Sequence, residues 1–393
     1  MLSRRTFLQK SSIVSLAPVL PHVFGRTANA AKLEADEKVL IVIQLDGGND
    51  GLNTVIPFAD DGYGKARKKL RIPTKDILKI DDHVGLHPSM RSAKALFDDG
   101  RLSIVQDVGY PNPNRSHFTS MKIWQTARFD VDQHNDNGWL GRTLDLKSFE
   151  GKKSAIFVGQ QETPVALWGR KSEAISLSRS SDLQLALDPL KPENKSETKS
   201  DLEQFVSRQV LSAYASAEKF KRQGAGISND SKYPTTRLGS QLKLVSQLLK
   251  SGSRSRIYYT SQSGYDTHSS QLFSHSRLLR EYADALKALL DDLKEAGLDD
   301  RVVVMTFSEF GRRIGENNSE GTDHGTAGPV FLAGTPVKGG LLGDPPNLSD
   351  AVDGDLKVQQ DFRSIYATIL DQWLDVDPGS VLGSDHAALS LFL

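Results

Sequence analysis

Cysteine is absent from the 393 residues of the sequence. Disulfide bonds, thiolate metal sites and a formylglycine made from cysteine are therefore excluded. The absence also suits a protein that folds before it leaves the cytoplasm, because an oxidising compartment would contribute nothing to its folding.

Long apolar runs and basic clusters are absent as well. Beyond the N-terminal region, no stretch approaches the roughly 20 uninterrupted apolar residues that a membrane-spanning helix needs, so we expect no stable membrane span. The chain has 49 basic and 49 acidic residues and no basic cluster with interleaved aromatic residues. This pattern argues against a nucleic-acid partner.

The first thirty residues have the composition of an export signal, with four basic residues and no acidic one. Arg4 and Arg5 precede a modest apolar run at residues 13–24, and the small-x-small sequence Ala28-Asn29-Ala30 follows. An ordinary basic N-terminus would not need these three signals in this order. We predict a twin-arginine signal peptide over residues 1–30, cleaved after Ala30.

This prediction implies a periplasmic or secreted protein whose partner during export is the twin-arginine translocase. Removal of the four basic residues leaves 45 basic and 49 acidic residues, a net charge of about −4 for the mature chain. Neither sign dominates, and charge alone identifies no substrate.

Short apolar runs alternate with amphipathic stretches along the mature chain. Residues 39–43 are continuously apolar and Leu45 follows Gln44, a run typical of a buried parallel strand at 39–45. Similar runs occupy residues 102–108, 155–158, 257–260, 302–307 and 329–333. An amphipathic helix is predicted at 272–296, with Gly297 as its C-terminal cap, and another at 362–374. The pattern predicts an α/β fold with a mostly parallel central sheet and helices on both faces.

Residues 31–393 are predicted to form a single domain with a mainly helical insertion at about 165–250. Within that block, residues 190–200 are polar and without periodicity, which indicates a surface loop. A helix is predicted at 201–222, followed by a second break at 223–230.

Acidic and histidine residues recur where the predicted strands end. Asp46 follows the first strand, Asp266 and His268 follow the fourth, Glu309 follows the fifth, and His324 precedes the sixth. Ligands of open parallel sheets bind beyond the carboxyl ends of the strands, where these loops converge. The sequence therefore predicts a divalent-cation site at that edge.

Each candidate also has an ordinary structural explanation. Asp46 could form a turn with Gly47, Ser116 could cap the helix that follows it, and Glu309 could pair with a nearby arginine. Asp323 could orient His324, and Asp266 with His268 could belong to a capping loop. The coincidence at one sheet edge favours the joint site. Five residues without comparable context are interpreted as structural: Asp50, His117, His134, His275 and His386.

Together these segments resemble a large, mostly uncharacterised bacterial family of exported proteins, domain-of-unknown-function family 1501. Besides the leader, the matching segments are residues 45–53, 115–118, 264–268, 307–312, 322–327 and 361–364. That family is in turn similar to a branch of the alkaline phosphatase–sulfatase–phosphomutase superfamily. The resemblance implies an alkaline phosphatase-like fold, metal ions at the carboxyl edge of the sheet, and a serine or threonine that attacks phosphorus.

The resemblance assigns roles to particular positions. Ser116 takes the place of the nucleophile, at a helix N-terminus that favours anions. The implied ligands of a divalent ion (zinc, calcium or manganese) are Asp46, Asp266, His268, Glu309 and His324. Asp323 and Asn49 would support these ligands or join them.

Two departures affect the metal site. The superfamily's Asp-His pair is replaced by Glu309-Phe310, and Asp266 and His268 stand closer together than the superfamily spacing. A Ser-x-Pro-x-Arg or Cys-x-Pro-x-Arg motif is absent, which disfavours sulfatase activity.

Three functional hypotheses remain. The first is a hydrolase of phosphate or related esters with a one- or two-metal site, whose substrate is a small molecule or an envelope component. The second is a catalytically silent envelope binding protein on the same fold. In the third, a generic secreted α/β protein, the histidines and carboxylates only stabilise loops. The metal hypothesis predicts that the five ligands converge, that Ser116 faces the same cleft, and that His117 turns away from it.

Overall fold

The structure is a computed structural model that describes residues 37–130, 137–149, 154–178, 233–250 and 252–393. The predicted leader, His134, the loop at 190–200, the helix at 201–222 and the break at 223–230 lie outside the described residues.

The strands of the described residues fall into a large and a small sheet. In chain order they are β1 (Val39–Asp46), β2 (Val55–Ile56), β3 (Leu78–Lys79), β4 (Gly85–Leu86), β5 (Leu102–Gly109), β6 (Ser154–Val158), β7 (Glu173–Leu177), β8 (Ile257–Ser263), β9 (Val302–Ser308), β10 (Gly328–Ala333), β11 (Gly340–Leu342) and β12 (Gln360–Asp361). The six runs predicted as strands are confirmed as β1, β5, β6, β8, β9 and β10.

The large sheet is mixed but mostly parallel, with the order β11-β5-β10-β9-β1-β8-β6-β7 and β12 beside β5. The first strand, β1, lies inside the sheet, where Leu40 pairs with Ile257 of β8 and with Val303 of β9. Only β10 runs antiparallel to its neighbours β9 and β5 among the described strands of this sheet. The predicted α/β class with a mostly parallel sheet is confirmed.

The helices of the described residues pack on both faces of this sheet. They are α1 (Gly51–Thr54), α2 (Asp61–Ala66), α3 (Arg91–Asp98), α4 (His117–Thr126), α5 (Trp139–Leu144), α6 (Arg237–Lys250), α7 (Gln271–Glu295), α8 (Phe362–Thr368) and α9 (Pro378–Leu382). The final turn of α8 continues as a π-helix, Ile369–Trp373. No helix in the described ranges is both long enough and apolar enough to cross a membrane.

Alternate residues of β1 belong to two different cores, because successive side chains of a strand point to opposite faces. Ile41 and Ile43 pack in the core that includes Leu286 of α7, and Val42 packs in the core that includes Trp124 of α4. Helices therefore cover both faces, which is why residues 39–43 of β1 are apolar on both faces instead of alternating.

The long helix α7 begins and ends within one residue of the predicted bounds. Gly297 has a φ of 65°, a left-handed conformation that glycine adopts without a steric penalty. The amide of Leu298 donates to the carbonyl of Leu293 and that of Gly297 to Lys294, which closes the helix as a C-terminal cap.

The block predicted as a mainly helical insertion begins differently from the expectation. Its described part contains a short 3₁₀ turn, Val165–Leu167, and the strand β7, which pairs in parallel with β6. The helix α6 then covers residues 237–250. The sequence analysis did not predict β7.

The topology brings four connections to one edge of the large sheet. The strands β1, β5, β8 and β9 all end there, and the antiparallel β10 begins there. The segments that follow or precede these strands carry every residue of the candidate site.

Candidate metal centre and adjoining cleft

Three imidazole rings surround one carboxylate oxygen. The Oδ1 atom of Asp266 lies 3.1 Å from Nε2 of His268, 3.3 Å from Nε2 of His324 and 3.5 Å from Nε2 of His117. His117, Asp266 and His324 offer ligand atoms that all lie within 4.8 Å of one another. Metal–ligand bonds of about 2.0–2.6 Å would allow these atoms to share one ion.

The other nitrogen of each ring is engaged. In all three rings Nδ1 lies within 3.2 Å of an oxygen atom. The pairs are His117 with Glu309, His268 with Asp323, and His324 with the backbone carbonyl of Arg115. An Nδ1–H donated to oxygen directs Nε2 of each ring toward Asp266, which is how metal-binding histidines are oriented. Nε2 of His324 donates to Asp266 here and would give up that proton on binding an ion.

Glu309 lies behind His117 and not beside Asp266. Its Oε1 is 2.7 Å from Nδ1 of His117 and also accepts from the amide of Gly47, and its Oε2 accepts from the hydroxyl of Ser308. The Glu309 side chain is buried, so this interaction is little screened. The hydrogen bond to Glu309 raises the pKa of His117 above its ordinary value.

Arg312 contributes a buried positive charge to the cluster. Its Nη2 lies 2.7 Å from Oδ1 of Asp266, and the same guanidinium donates to the carbonyls of Gly48 and Thr322. Burial acts to raise the pKa of Asp266, but the hydrogen bonds from Arg312 and His324 outweigh it and lower the pKa to about 2. Asp266 is therefore ionised at neutral pH.

Asp46 lines the same cleft, but its oxygens face other groups. Oδ1 accepts from the side-chain amide of Gln44, and Oδ2 lies 3.3 Å from the hydroxyl of Ser263. Burial, with a smaller contribution from Glu309, raises the pKa of Asp46 to about 6. The structure thus places Asp46 next to the cluster of Asp266 and not within it.

Ser116 occupies the N-cap position of α4 and is exposed. Its side chain makes no capping hydrogen bond in the described structure, so the ordinary explanation for a serine here is not realised. Its two neighbours both contact the cluster, Arg115 through its carbonyl on His324 and His117 through its ring. The hydroxyl is therefore carried on the backbone segment that borders the cluster.

Phe310 packs beneath the imidazoles. Its ring is buried, with its centroid 4.9 Å from that of His117 and 4.8 Å from that of His324. Gly48 leaves room for it, because a Cβ atom at that position would lie 2.3 Å from the Phe310 ring. Phe310 thus forms the apolar base of the cluster.

A buried polar network lies behind the cluster. Oε1 of Gln271 accepts from the hydroxyls of Thr267 and Thr322, at 3.0 and 2.7 Å. Its amide nitrogen donates to Asp50, which Arg67 holds at 2.5 Å. Thr267 and Thr322 precede His268 and Asp323 directly, so this network ties together the two segments that carry His268 and His324.

Asn49 belongs to the same interior. Its side-chain oxygen accepts from Nε2 of His275 at 2.9 Å and from the hydroxyl of Thr54 at 3.1 Å. It therefore supports the loop after β1 from within. His386 pairs with Ser384 in the C-terminal segment, outside the cleft, as expected.

His117 differs most from its expectation. We interpreted it as structural and expected it to turn away, but its ring lies in the cluster between Glu309 and Asp266. Arg312 and Gln271 were also missed as parts of the site. One signal was available, since His117 opens the helix whose N-cap is the candidate nucleophile Ser116.

A cleft of about 570 Å³ adjoins the cluster. Its lining combines the polar residues Asp46, His117, Asp266 and Glu309 with the apolar residues Phe118, Met121 and Val165, and it also includes Lys122 and Gln125. This volume is within the range of about 300–1,000 Å³ that is usual for small-molecule sites.

Comparison with known proteins identifies the family. The model of the family "Protein of unknown function (DUF1501)" matches residues 37–382. The chain belongs to the DUF1501 family. No curated protein matches this DUF1501 sequence.

Several solved structures resemble this DUF1501 chain weakly. The lipoteichoic acid synthase LtaP from Listeria monocytogenes has a TM-score of 0.42 and 9% identity, over 89% of this chain and 76% of that one. A protein in the alkaline phosphatase superfamily from Vibrio parahaemolyticus has a TM-score of 0.39 and 12% identity, over 91% and 72%. The C-terminal periplasmic domain of EcEptC from Escherichia coli, a zinc complex, has 0.38 and 9%, over 77% and 75%. Likenesses this weak carry no argument about activity.

Proposed function

We propose that this DUF1501 protein is a metal-dependent hydrolase of phosphate or related esters. The observation that carries the proposal is the convergence of three histidine Nε2 atoms on Oδ1 of Asp266 beside a cleft of small-molecule size. The residues fit a metal ion on their own chemistry. Nε2 of His117 is buried and has no hydrogen-bond partner among the described residues, as an atom reserved for a ligand would be.

The donor set favours one of the candidate ions. His117 and His324 would hold a divalent ion with Asp266, and a set of two imidazoles and a carboxylate suits zinc better than calcium, which prefers oxygen ligands alone. A bound ion would polarise the ester oxygen, a contribution worth several kcal/mol at the barrier.

The protein's own groups supply the remaining roles. Ser116 is proposed as the nucleophile, because its hydroxyl stands at the N-terminus of α4, where free backbone N–H groups favour an anionic substrate. His268 contacts Asp323 through Nδ1 and directs Nε2 toward the same point, which supports a role in binding the ion or in transferring a proton.

Metal analysis and a substrate screen test this proposal together. Purified mature protein reconstituted with zinc, calcium or manganese should retain at least one ion per chain and turn over a phosphomonoester or phosphodiester. Ser116→Ala should abolish turnover, while Thr119→Ala, one turn further along α4, should not. Complete absence of bound metal after reconstitution would contradict the proposal.

A second candidate is the catalytically silent binding protein, and Arg312 favours it. The guanidinium lies 2.7 Å from Asp266 and already neutralises the carboxylate that an ion would need. This alternative predicts anion binding without metal and without turnover in a broad phosphatase, phosphodiesterase and sulfatase screen. Turnover lost in Ser116→Ala would exclude it.

We also propose that residues 1–30 direct twin-arginine export to the periplasm or beyond. The arginine pair, the apolar run and the Ala28-Asn29-Ala30 sequence support this. Replacing Arg4 and Arg5 together by lysine keeps the charge but removes the pair that the receptor reads, so the variant should stay in the cytoplasm. Cell fractionation measures where the variant accumulates. Normal export would refute the twin-arginine assignment.

A further inference from the structure

We infer that the cleft beside the histidine cluster is a subsite for a compact apolar group, so that the substrate is a phosphoryl ester with an aromatic or similarly apolar organic portion. The inference rests on the proposed function for the phosphoryl end and on separate residues for the apolar end. It therefore names the class of substrate that the proposed hydrolase would take.

The apolar residues of the cleft lining come from two elements. Phe118 and Met121 lie one turn apart on α4 and so face the same side of that helix, and Val165 comes from the 3₁₀ turn opposite. Phe118 is 90% exposed although it directly follows the cluster residue His117. A large ring left in water at the wall of a cleft gains free energy when a ligand covers it.

The polar cluster residues and the apolar residues line one cleft. His117, Asp266 and Phe118 all belong to its lining, so the organic portion of an ester bound at the cluster has Phe118 within the same cleft to pack against. The volume of about 570 Å³ is far larger than an inorganic phosphate fills and is suited to a small organic molecule. Aromatic groups also gain from edge or offset contacts with a phenylalanine ring.

Phe273 provides a matched comparison. It is 81% exposed and lies in the first turn of α7, close in sequence to His268, but it does not line the cleft. Both phenylalanines are exposed at helix N-termini near the cluster, so an effect confined to Phe118 reports the cleft and not general surface hydrophobicity.

Methionine-methyl NMR can observe the subsite directly. Beyond the leader the chain has three methionines, and Met90 and Met305 are fully buried whereas Met121 lines the cleft. The full mature protein, with and without zinc, would be titrated with phenylphosphonate, methylphosphonate and phenol. Phenylphosphonate and phenol should shift the Met121 signal saturably and leave those of Met90 and Met305 in place.

The affinities give the second readout. Phenylphosphonate should bind about tenfold more tightly than methylphosphonate, the gain expected when a phenyl ring leaves water. Phe118→Ala should remove most of that preference without weakening methylphosphonate, and Phe273→Ala should change neither. If Phe118→Ala keeps the parent protein's preference for phenylphosphonate over methylphosphonate, the inference is overturned.

The outcomes separate this inference from the proposed function. If methylphosphonate binds in a zinc-dependent manner and phenylphosphonate leaves the Met121 signal unmoved, the apolar subsite is refuted while the metal site stands. If phenol and phenylphosphonate shift Met121 equally with and without zinc, and no phosphonate binding depends on zinc, the subsite stands and the metal-dependent function fails.

Discussion

The histidine cluster and the polar network behind it are built from similar side chains and are organised in opposite ways. In the cluster, His117, His268 and His324 are partly exposed, and their Nε2 atoms all face Asp266. In the network, Gln271 and Asp50 are buried. Gln271 donates to Asp50, and Asp50 forms an ion pair with Arg67. The first region gathers several electron-pair donors around one point, whereas the second divides its hydrogen bonds among fixed pairs.

The pKa values of His275 in the network and His117 in the cluster are shifted in opposite directions. In the network, burial lowers the pKa of His275 to about 3, so the ring is neutral across the physiological range. In the cluster, the hydrogen bond to Glu309 raises the pKa of His117. The comparison indicates that the network provides rigidity and the cluster provides chemistry. Four substitutions test that division, from the largest expected effect to the smallest.

Asp50→Ala should destabilise the protein most. It leaves Arg67 buried without its carboxylate partner, and breaking a buried pair costs about 3–5 kcal/mol. Lys69→Ala, which breaks the exposed pair with Glu320, is the control and should cost less than about 1 kcal/mol. Urea titration gives the free energy of unfolding of each variant. Equal losses of stability in the two variants would show that the buried network does not stabilise the fold more than an exposed ion pair does.

Asp266→Asn should abolish zinc binding and cost less stability than Asp50→Ala, because Arg312 keeps its hydrogen bonds to the carbonyls of Gly48 and Thr322. The variant keeps an oxygen that accepts from Arg312 but loses the charge that an ion requires. We expect zinc affinity to fall by more than the roughly 100-fold that loss of an outer partner costs. Isothermal titration with zinc gives the affinity, and unchanged zinc binding would remove Asp266 from the proposed ligands.

Glu309→Gln should have an intermediate effect on the metal. It preserves an acceptor for Nδ1 of His117 but removes the negative charge that makes the ring a better ligand, so zinc affinity should fall about 10–100-fold. Asp323→Asn makes the same change behind the more exposed His268 and should cost less. If the two variants lose equal zinc affinity, burial of the outer carboxylate does not determine its effect on the histidine ligand.

His275→Gln should alter the pH dependence of stability. The pKa of His275 is about 3 in the folded state and that of an unfolded histidine is about 6.5. Between these values the unfolded chain binds the proton that the folded chain excludes. His275 therefore reduces stability progressively as the pH falls below 6.5, by about 1.4 kcal/mol per pH unit.

Glutamine is neutral at every pH and keeps a donor for Asn49, so the slope of unfolding free energy against pH should flatten below pH 6.5 in this variant. His87, whose pKa burial lowers to about 4, would account for a remaining slope. His83→Gln, at an exposed position, is the control and should leave the slope unchanged. If His275→Gln leaves the slope of unfolding free energy against pH unaltered, the lowered pKa of His275 is contradicted.

The sequence was sufficient for six of the twelve described strands and for the edge at which the site lies. Continuous apolar runs define buried parallel strands, and the chain must leave each of them at the same edge, so Asp266, His268 and His324 were expected to meet. The antiparallel direction of β10 could not be predicted in this way, because an apolar run does not show which way its strand runs in the sheet. The strand β7 was missed because its run, Glu173–Leu177, is short and mixed.

The inner arrangement of the site could not be predicted for a different reason. Whether His117 or Ser116 faces the cluster depends on how the first turn of α4 is rotated, and packing against Phe310 decides that rotation. The same holds for Glu309, which was expected beside the metal but orients an imidazole from behind. Long-range contacts between segments almost 200 positions apart determine these details, and local patterns do not contain them.

The position of β1 has a consequence for how the protein is made. Leu40 pairs with Ile257 and Val303, so the partners of this apolar strand are synthesised more than 200 residues after it. At the roughly 5–20 residues per second of translation, β1 waits on the order of 10–50 s before either neighbour leaves the ribosome. During that interval a mostly apolar strand with both edges unpaired is a template for aggregation. The histidine cluster needs His324, so it cannot form before most of the chain has been translated.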